Sequence, residues 1–173
     1  MIVRTPWLER QFETGLPLEM FPNLLERLRG TPARVDDRLR GVESAVLAAS
    51  KGDSWSILEN VGHLLQVEGL WATRLDDFEA HRPELTPARF EPWRVGEAQF
   101  NRCASRDLCA SFRVARLHLV GRLERLDDEV LQAVARHPRL DRPMRVVDLM
   151  LFIAEHDDHH LATITQLLHR QAR

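Results

Sequence analysis

The amino-acid sequence predicts an all-α protein, a four-helix bundle, on three observations. Four long stretches repeat their apolar residues at the helical spacing of i, i+3, i+4 and i+7. Prolines and glycines gather between those stretches, and capping residues stand where helices should begin. No stretch of any length alternates apolar and polar residues as a half-buried strand does. A chain of 173 residues has room for a full hydrophobic core, and residues 1–173 are expected to form one domain.

The elements follow in order. Residues 1–20 form an entry segment in which Pro6 and Pro17 argue against a continuous helix. A first helix begins near Pro22, a residue suited to the first turn, and runs to Gly30. Thr31 and Pro32 then read as a break, a fresh N-cap followed by a proline at the first helical position. Helical spacing resumes with Val35, Leu39, Val42, Val46 and Ala49 and ends at Gly52. The second helix opens on a capping-box pattern, Ser56-Ile57-Leu58-Glu59, whose serine and glutamate satisfy free backbone donors reciprocally. On a helical wheel, Val67, Leu70, Trp71 and Phe78 fall within about 80° of His63, so this histidine sits on the core stripe.

Residues 81–100 hold Pro83, Pro87 and Pro92 and read as a long connection, a kind of loop that is often functional. Ser105 is the expected N-cap of a third helix ending near residue 126, with Leu108, Phe112, Ala115, Leu119 and Leu126 inward. Arg102, Arg106, Arg113, Arg116, Arg122 and Arg125 lie mostly off that stripe and read as a solvated face. A short helical piece over residues 128–135 and a turn with Pro138 and Pro143 lead into the fourth helix, residues 145–170.

That last helix carries the chemistry. His160 falls about 40° from His156 on the wheel, and Leu149, Ile153, Ile164 and Leu167 share their face. Two imidazoles on a core-facing stripe must be hydrogen-bonded or bound to something, because an unsatisfied buried polar group is costly. The i, i+4 spacing also lets two ring nitrogens reach one metal ion. His63 is a candidate third ligand. The other reading is a set of satisfied core histidines, with Glu59 and Asn60 one turn before His63 as partners. His159 lies at the stripe's edge, either solvated or supporting a neighbour. Asp157 gives His-Asp-x-x-His, near the His-Glu-x-x-His of zinc peptidases. Aspartate is one methylene shorter than that glutamate base, however, and His169, the histidine after His160, points to a different face, which argues against a peptidase.

The remaining features mostly exclude. Net charge is -2, so no basic footprint points to nucleic acid. The absence of tyrosine removes any tyrosine acid or nucleophile. Cys103 and Cys109 form no Cys-x-x-Cys and no disulfide scaffold; both are expected as buried free thiols. The first residues lack a signal-peptide core, and the longest strongly apolar run, residues 149–154, is far too short to cross a bilayer. A cytoplasmic location without membrane partners is expected. His81, His118, His137 and His169 show no partner pattern and are expected at the surface. Trp55, Trp71 and Trp93 are candidate pocket residues, Trp71 better suited to the core and Trp93 to substrate contact.

The stretches Trp55-Ser-Ile-Leu-Glu-Asn-Val-Gly-His-Leu64 and Phe152-Ile-Ala-Glu-His-Asp-Asp-His-His-Leu-Ala-Thr-Ile164 resemble the DinB-like superfamily, the damage-inducible and metal-dependent hydrolase proteins. The segment around Phe21–Val35 and the lead-in to the fourth helix are similar too. The resemblance implies a bundle of up-down-down-up topology and a metal site made by one histidine of the second helix and a His-x-x-x-His pair of the fourth. Carried onto this sequence, the ligands are His63, His156 and His160. An all-nitrogen site suits zinc, nickel, iron or copper, of which zinc or nickel is expected, and three ligands leave a divalent ion open positions, the mark of a catalytic site. The resemblance further implies a homodimer and a small-molecule substrate. The activities it brings are thiol-dependent, as in bacillithiol transferases and mycothiol-dependent maleylpyruvate isomerase. The expectation is therefore a thiol S-transferase or a hydrolase using a metal and a low-molecular-weight thiol or water. The alternative is a non-catalytic metal- or ligand-binding protein of a stress response.

Overall fold

Helical periodicity becomes four long helices in the computed structural model, which describes residues 5–50, 54–88 and 98–171. They are α1 (Phe21–Leu39), α3 (Ile57–Glu79), α4 (Ser105–Leu123) and α6 (Val146–Gln171). Among the described residues, two one-turn helices, α2 (Ser44–Ala48) and α5 (Asp128–Gln132), fill connections.

Side-chain pairings give the helix directions. Arg27 reaches Glu155 and Arg34 reaches Asp158, so α1 and α6 run parallel. Asn60 meets His160, His63 meets His156 and Trp71 meets Phe152, so α3 runs against α6. Glu68 pairs with Arg116 and Asp76 with Arg122, which makes α4 parallel to α3. Arg29 with Glu124 and Asp36 with Arg113 set α4 against α1. The order is up-down-down-up, with α1 diagonal to α3 and α4 diagonal to α6.

Several local expectations change. α1 runs straight through Pro32 instead of breaking there. Proline removes the hydrogen bond that would reach the Leu28 carbonyl four residues earlier, and that carbonyl instead accepts from Arg116 Nη1 at 3.4 Å. Thr31 is no cap; its hydroxyl donates to Asp157 Oδ2 at 2.9 Å. The break comes at residues 40–43, where Gly41 takes φ +74°, a conformation that glycine adopts without steric penalty. The capping box forms as read, with Glu59 N 3.0 Å from Ser56 Oγ and Ser56 N 2.7 Å from Glu59 Oε2. At α4 the cap is Ala104, not Ser105, and the helix stops at Leu123.

The turn before the last helix contains a small antiparallel hairpin that alternation was too short to reveal, β1 (Ala135–His137) and β2 (Arg142–Met144). It turns His137 inward, so this histidine is buried rather than exposed. Of the two cysteines only Cys109 is buried, on α4; Cys103 lies outside that helix and is exposed. Burial pushes the Cys109 thiol up to about 12, leaving it unreactive at neutral pH.

The core falls into two apolar clusters. One gathers Leu24, Leu28, Trp71, Phe78, Leu119 and Phe152. The other gathers Val35, Leu39, Val61, Leu64, Phe112, Leu161 and Ile164. Between them every long helix contributes buried polar residues: Thr31 from α1, His63 and Glu68 from α3, Arg116 from α4, and His156, Asp157 and His160 from α6. A polar belt thus crosses the middle of the bundle. Gly62 helps set its α3 edge, since a Cβ there would come within 2.3 Å of the Phe100 ring.

Candidate metal centre

The imidazoles meet because of helix periodicity and direction. His156 and His160 lie one turn apart on α6, and the antiparallel α3 brings His63 opposite them. Their ring centroids are 5.2 Å (His63–His156), 4.8 Å (His63–His160) and 4.6 Å (His156–His160) apart. One nitrogen of each ring lies within 4.8 Å of the others, and all three residues are buried. His63 Nε2 and His156 Nε2 are 3.2 Å apart.

The protonation of His160 can be argued from its neighbours. Asn60 Nδ2 donates to the Ser56 carbonyl at 2.8 Å, so Asn60 Oδ1 is the atom facing His160 Nδ1 at 2.9 Å. An amide oxygen only accepts, hence Nδ1 carries a proton, and in the neutral ring Nε2 keeps its lone pair. Burial, with a smaller push from His159, brings His63 down to about 4. Burial, then the charges of His160 and His63, holds His156 well below the ordinary histidine value. His63 and His156 are therefore neutral at pH 7, the form that binds metal.

A metal fits this set. Nitrogen–metal bonds of about 2.0–2.1 Å in tetrahedral geometry separate two ligand nitrogens by about 3.3 Å, close to the 3.2 Å between His63 and His156. His156 Nδ1 is buried with no hydrogen-bond partner among the described residues.

The other half of the belt is closed. Arg116, fully buried, lies between Glu68 and Asp157, with Arg116 Nη2 to Glu68 Oε1 at 2.6 Å and to Asp157 Oδ1 at 3.1 Å. Burial opposes its charge, but the two carboxylates outweigh burial and raise its pKa above the usual arginine range. Asp157 is therefore engaged by Arg116 and Thr31. Sequence reading assigned Arg116 to a solvated face; its burial follows from the freed Leu28 carbonyl and two inward carboxylates, which wheel positions alone do not reveal.

The three imidazoles lie on the wall of a cavity of about 760 Å³, within the usual range for small-molecule sites. Trp55 stacks over His160 at 6.1 Å and lies 4.9 Å from His63. Trp71 packs edge-on to His156 at 5.6 Å. From the entry segment, Trp7 comes within 5.0 Å of His156 and 5.8 Å of His159. His159 is half-buried in the same wall, whereas Glu59 serves the helix cap. Trp93 lies outside the described residues. Sequence reading missed Trp7, Arg74, His137 and Arg139 as cavity residues. Trp7 and Arg139 belong to segments without periodicity, and Arg74 differs from solvated arginines only in facing inward.

The family model of the DinB superfamily matches residues 23–164, a span that contains all three histidines and both halves of the belt. The chain belongs to the DinB superfamily. Among solved structures it is similar to YfiT from Bacillus subtilis, described as a probable metal-dependent hydrolase with an unusual four-helix bundle topology. That likeness has a TM-score of 0.79 at 18% identity and covers 95% of this chain and 94% of that one. No curated protein matches the chain in sequence. Among the described residues no helix is long and apolar enough to cross a membrane.

Proposed function

We propose that this superfamily member is a divalent-metal-dependent enzyme that transfers a low-molecular-weight thiol to a small substrate. The observation that carries the reading is the convergence of three imidazoles on the wall of a substrate-sized cavity. His63, His156 and His160 hold the ion, zinc or nickel suiting their nitrogen set best. A divalent ion bound there lowers the pKa of a coordinated thiol or water and polarises a carbonyl or phosphoryl oxygen.

The chain's own residues supply the rest. Asn60, anchored on Ser56, fixes the His160 tautomer and ring orientation. Trp7, Trp71 and Phe152 give an apolar wall that strengthens electrostatic interactions inside. Among the described residues no carboxylate lines the cavity, and none of them stands where a zinc peptidase has its acidic base. A thiol, with a free pKa of about 8.5, needs such a base far less than water, at about 15.7. This favours thiol transfer.

Hydrolysis is the second reading, supported by the description of YfiT. The homodimer expected of the family belongs to the same proposal. Zinc- and nickel-loaded protein, screened with electrophiles with and without a low-molecular-weight thiol, decides between the readings. Thiol-dependent turnover that His156→Ala abolishes supports transfer, and turnover without thiol supports hydrolysis. No turnover in either screen from fully metal-loaded protein contradicts both and leaves a binding protein.

A further inference from the structure

We infer that the cavity has a second recognition end, at which Arg74, Arg139 and the Trp71 indole bind an oxyanion, a carboxylate or phosphate carried by the substrate. This end surrounds Phe152, four residues of α6 before His156, about 6 Å along the axis. The Arg74 guanidinium lies 5.5 Å from the Trp71 ring and 6.0 Å from Phe152. That of Arg139 lies 5.5 Å from Phe152 on behalf of the hairpin, and the His137 ring lies 4.8 Å from Phe152.

Arg74 Nε donates to the Thr86 carbonyl at 3.0 Å, but among the described residues donors outnumber acceptors here. Arg139 uses Nη1 on the carbonyls of Leu8 and Arg10 at 3.0 and 3.2 Å. Its Nη2 and the Trp71 Nε1 are buried with no hydrogen-bond partner among the described residues. His137 adds to the imbalance. Its Nδ1 faces the backbone N–H groups of Arg139 and Leu140, both at 3.2 Å, and its Nε2 lies 3.1 Å from Arg74 Nη1. Arginine only donates, so whichever ring nitrogen carries the proton faces another donor. Orphaned buried donors are rare in native proteins and call for a missing partner.

The charge balance points the same way. Burial brings Arg74 down to about 10, with Asp77 opposing and Arg139 adding to the fall. Burial lowers Arg139 as well. Asp77, the nearby carboxylate, already accepts from Thr86 N at 2.6 Å and lies 3.4 Å from Arg82 Nε. An oxyanion brings both acceptor atoms and negative charge, and arginine forks match it in geometry. A substrate anchored here extends its reactive group past Trp71 toward the three histidines.

Naming the substrate's charge rests on the enzyme reading, but the anion site itself needs no metal. Isothermal titration of metal-free protein with benzoate, phenyl phosphate and neutral benzamide tests it. At least one of the anions is expected to bind tenfold or more tightly than benzamide, the better one identifying the oxyanion. Arg139→Gln and Arg74→Gln should each weaken that anion tenfold or more without changing benzamide binding. Arg139, only half-buried, keeps the test valid if Arg74→Gln fails to fold. Equal binding of anions and benzamide, no anion binding, or full anion affinity in folded Arg139→Gln would overturn the site. Separate titration of the same metal-free protein with zinc and with nickel distinguishes the two readings. Protein that binds the anion but no metal supports this site and sinks the enzyme reading alone.

Discussion

His156 and Asp157 are neighbours in sequence and belong to opposite halves of one polar belt. On Asp157's side, Thr31, Glu68 and Arg116 close a network whose charges oppose one another within the bundle. On His156's side, three imidazoles bring ring nitrogens within 4.8 Å of one another, and among the described residues His156 Nδ1 has no partner. Both halves are buried in the same bundle, so burial alone does not mark function. What separates them is charge balance: the closed half contains its own counter-ions, and the open half has donor atoms for a cation and, among the described residues, no carboxylate on the cavity wall.

The sharpest way to break this contrast is to open the closed half. Arg116→Met removes the cation between Glu68 and Asp157 and leaves two buried carboxylates. It should destabilise the fold by about 3–5 kcal/mol, read by urea unfolding. A loss under about 1 kcal/mol would mean that the network is not the structural half. The open half should respond in the opposite way. His156→Ala or His160→Ala is expected to abolish stoichiometric metal while the far-ultraviolet circular dichroism stays largely helical.

Smaller effects sharpen the comparison. Asn60→Ala frees the His160 ring and should weaken metal binding by about 10–100-fold, measured by competition with a chelating dye; unchanged affinity would remove Asn60 from the site. His137 supplies the pH test, because burial, then Arg74 and Arg139, brings it down to about 3. Unfolded histidine titrates near 6.5, so between these values the unfolded chain holds one proton more. Its contribution to stability is intact above about pH 6.5 and is lost as pH falls toward 3, by about 1.4 kcal/mol per pH unit. Metal-free His137→Asn should show a shallower acid slope than the parent, and an equal slope would contradict the buried neutral assignment.

What the sequence made legible was periodic. The four helices, the Ser56–Glu59 capping box and the inward faces of His63, His156 and His160 all follow from spacing along single helices. What it hid depends on other helices. Pro32 reads as a breaker until Arg116 takes up the carbonyl that it frees. Arg116 itself reads as solvated until Glu68 and Asp157 arrive from two other helices. His137 turns inward through a hairpin of two three-residue strands, too short for alternation to register. Trp7 reaches the cavity from a segment whose prolines predict only irregular chain.

The most direct test of the central claim is the metal content of untagged protein by elemental mass spectrometry, alongside His63→Ala. The account predicts close to one divalent ion per chain in the parent and none in the variant. A parent that holds no ion and also refuses added zinc and nickel, or a variant that keeps its ion, would contradict it.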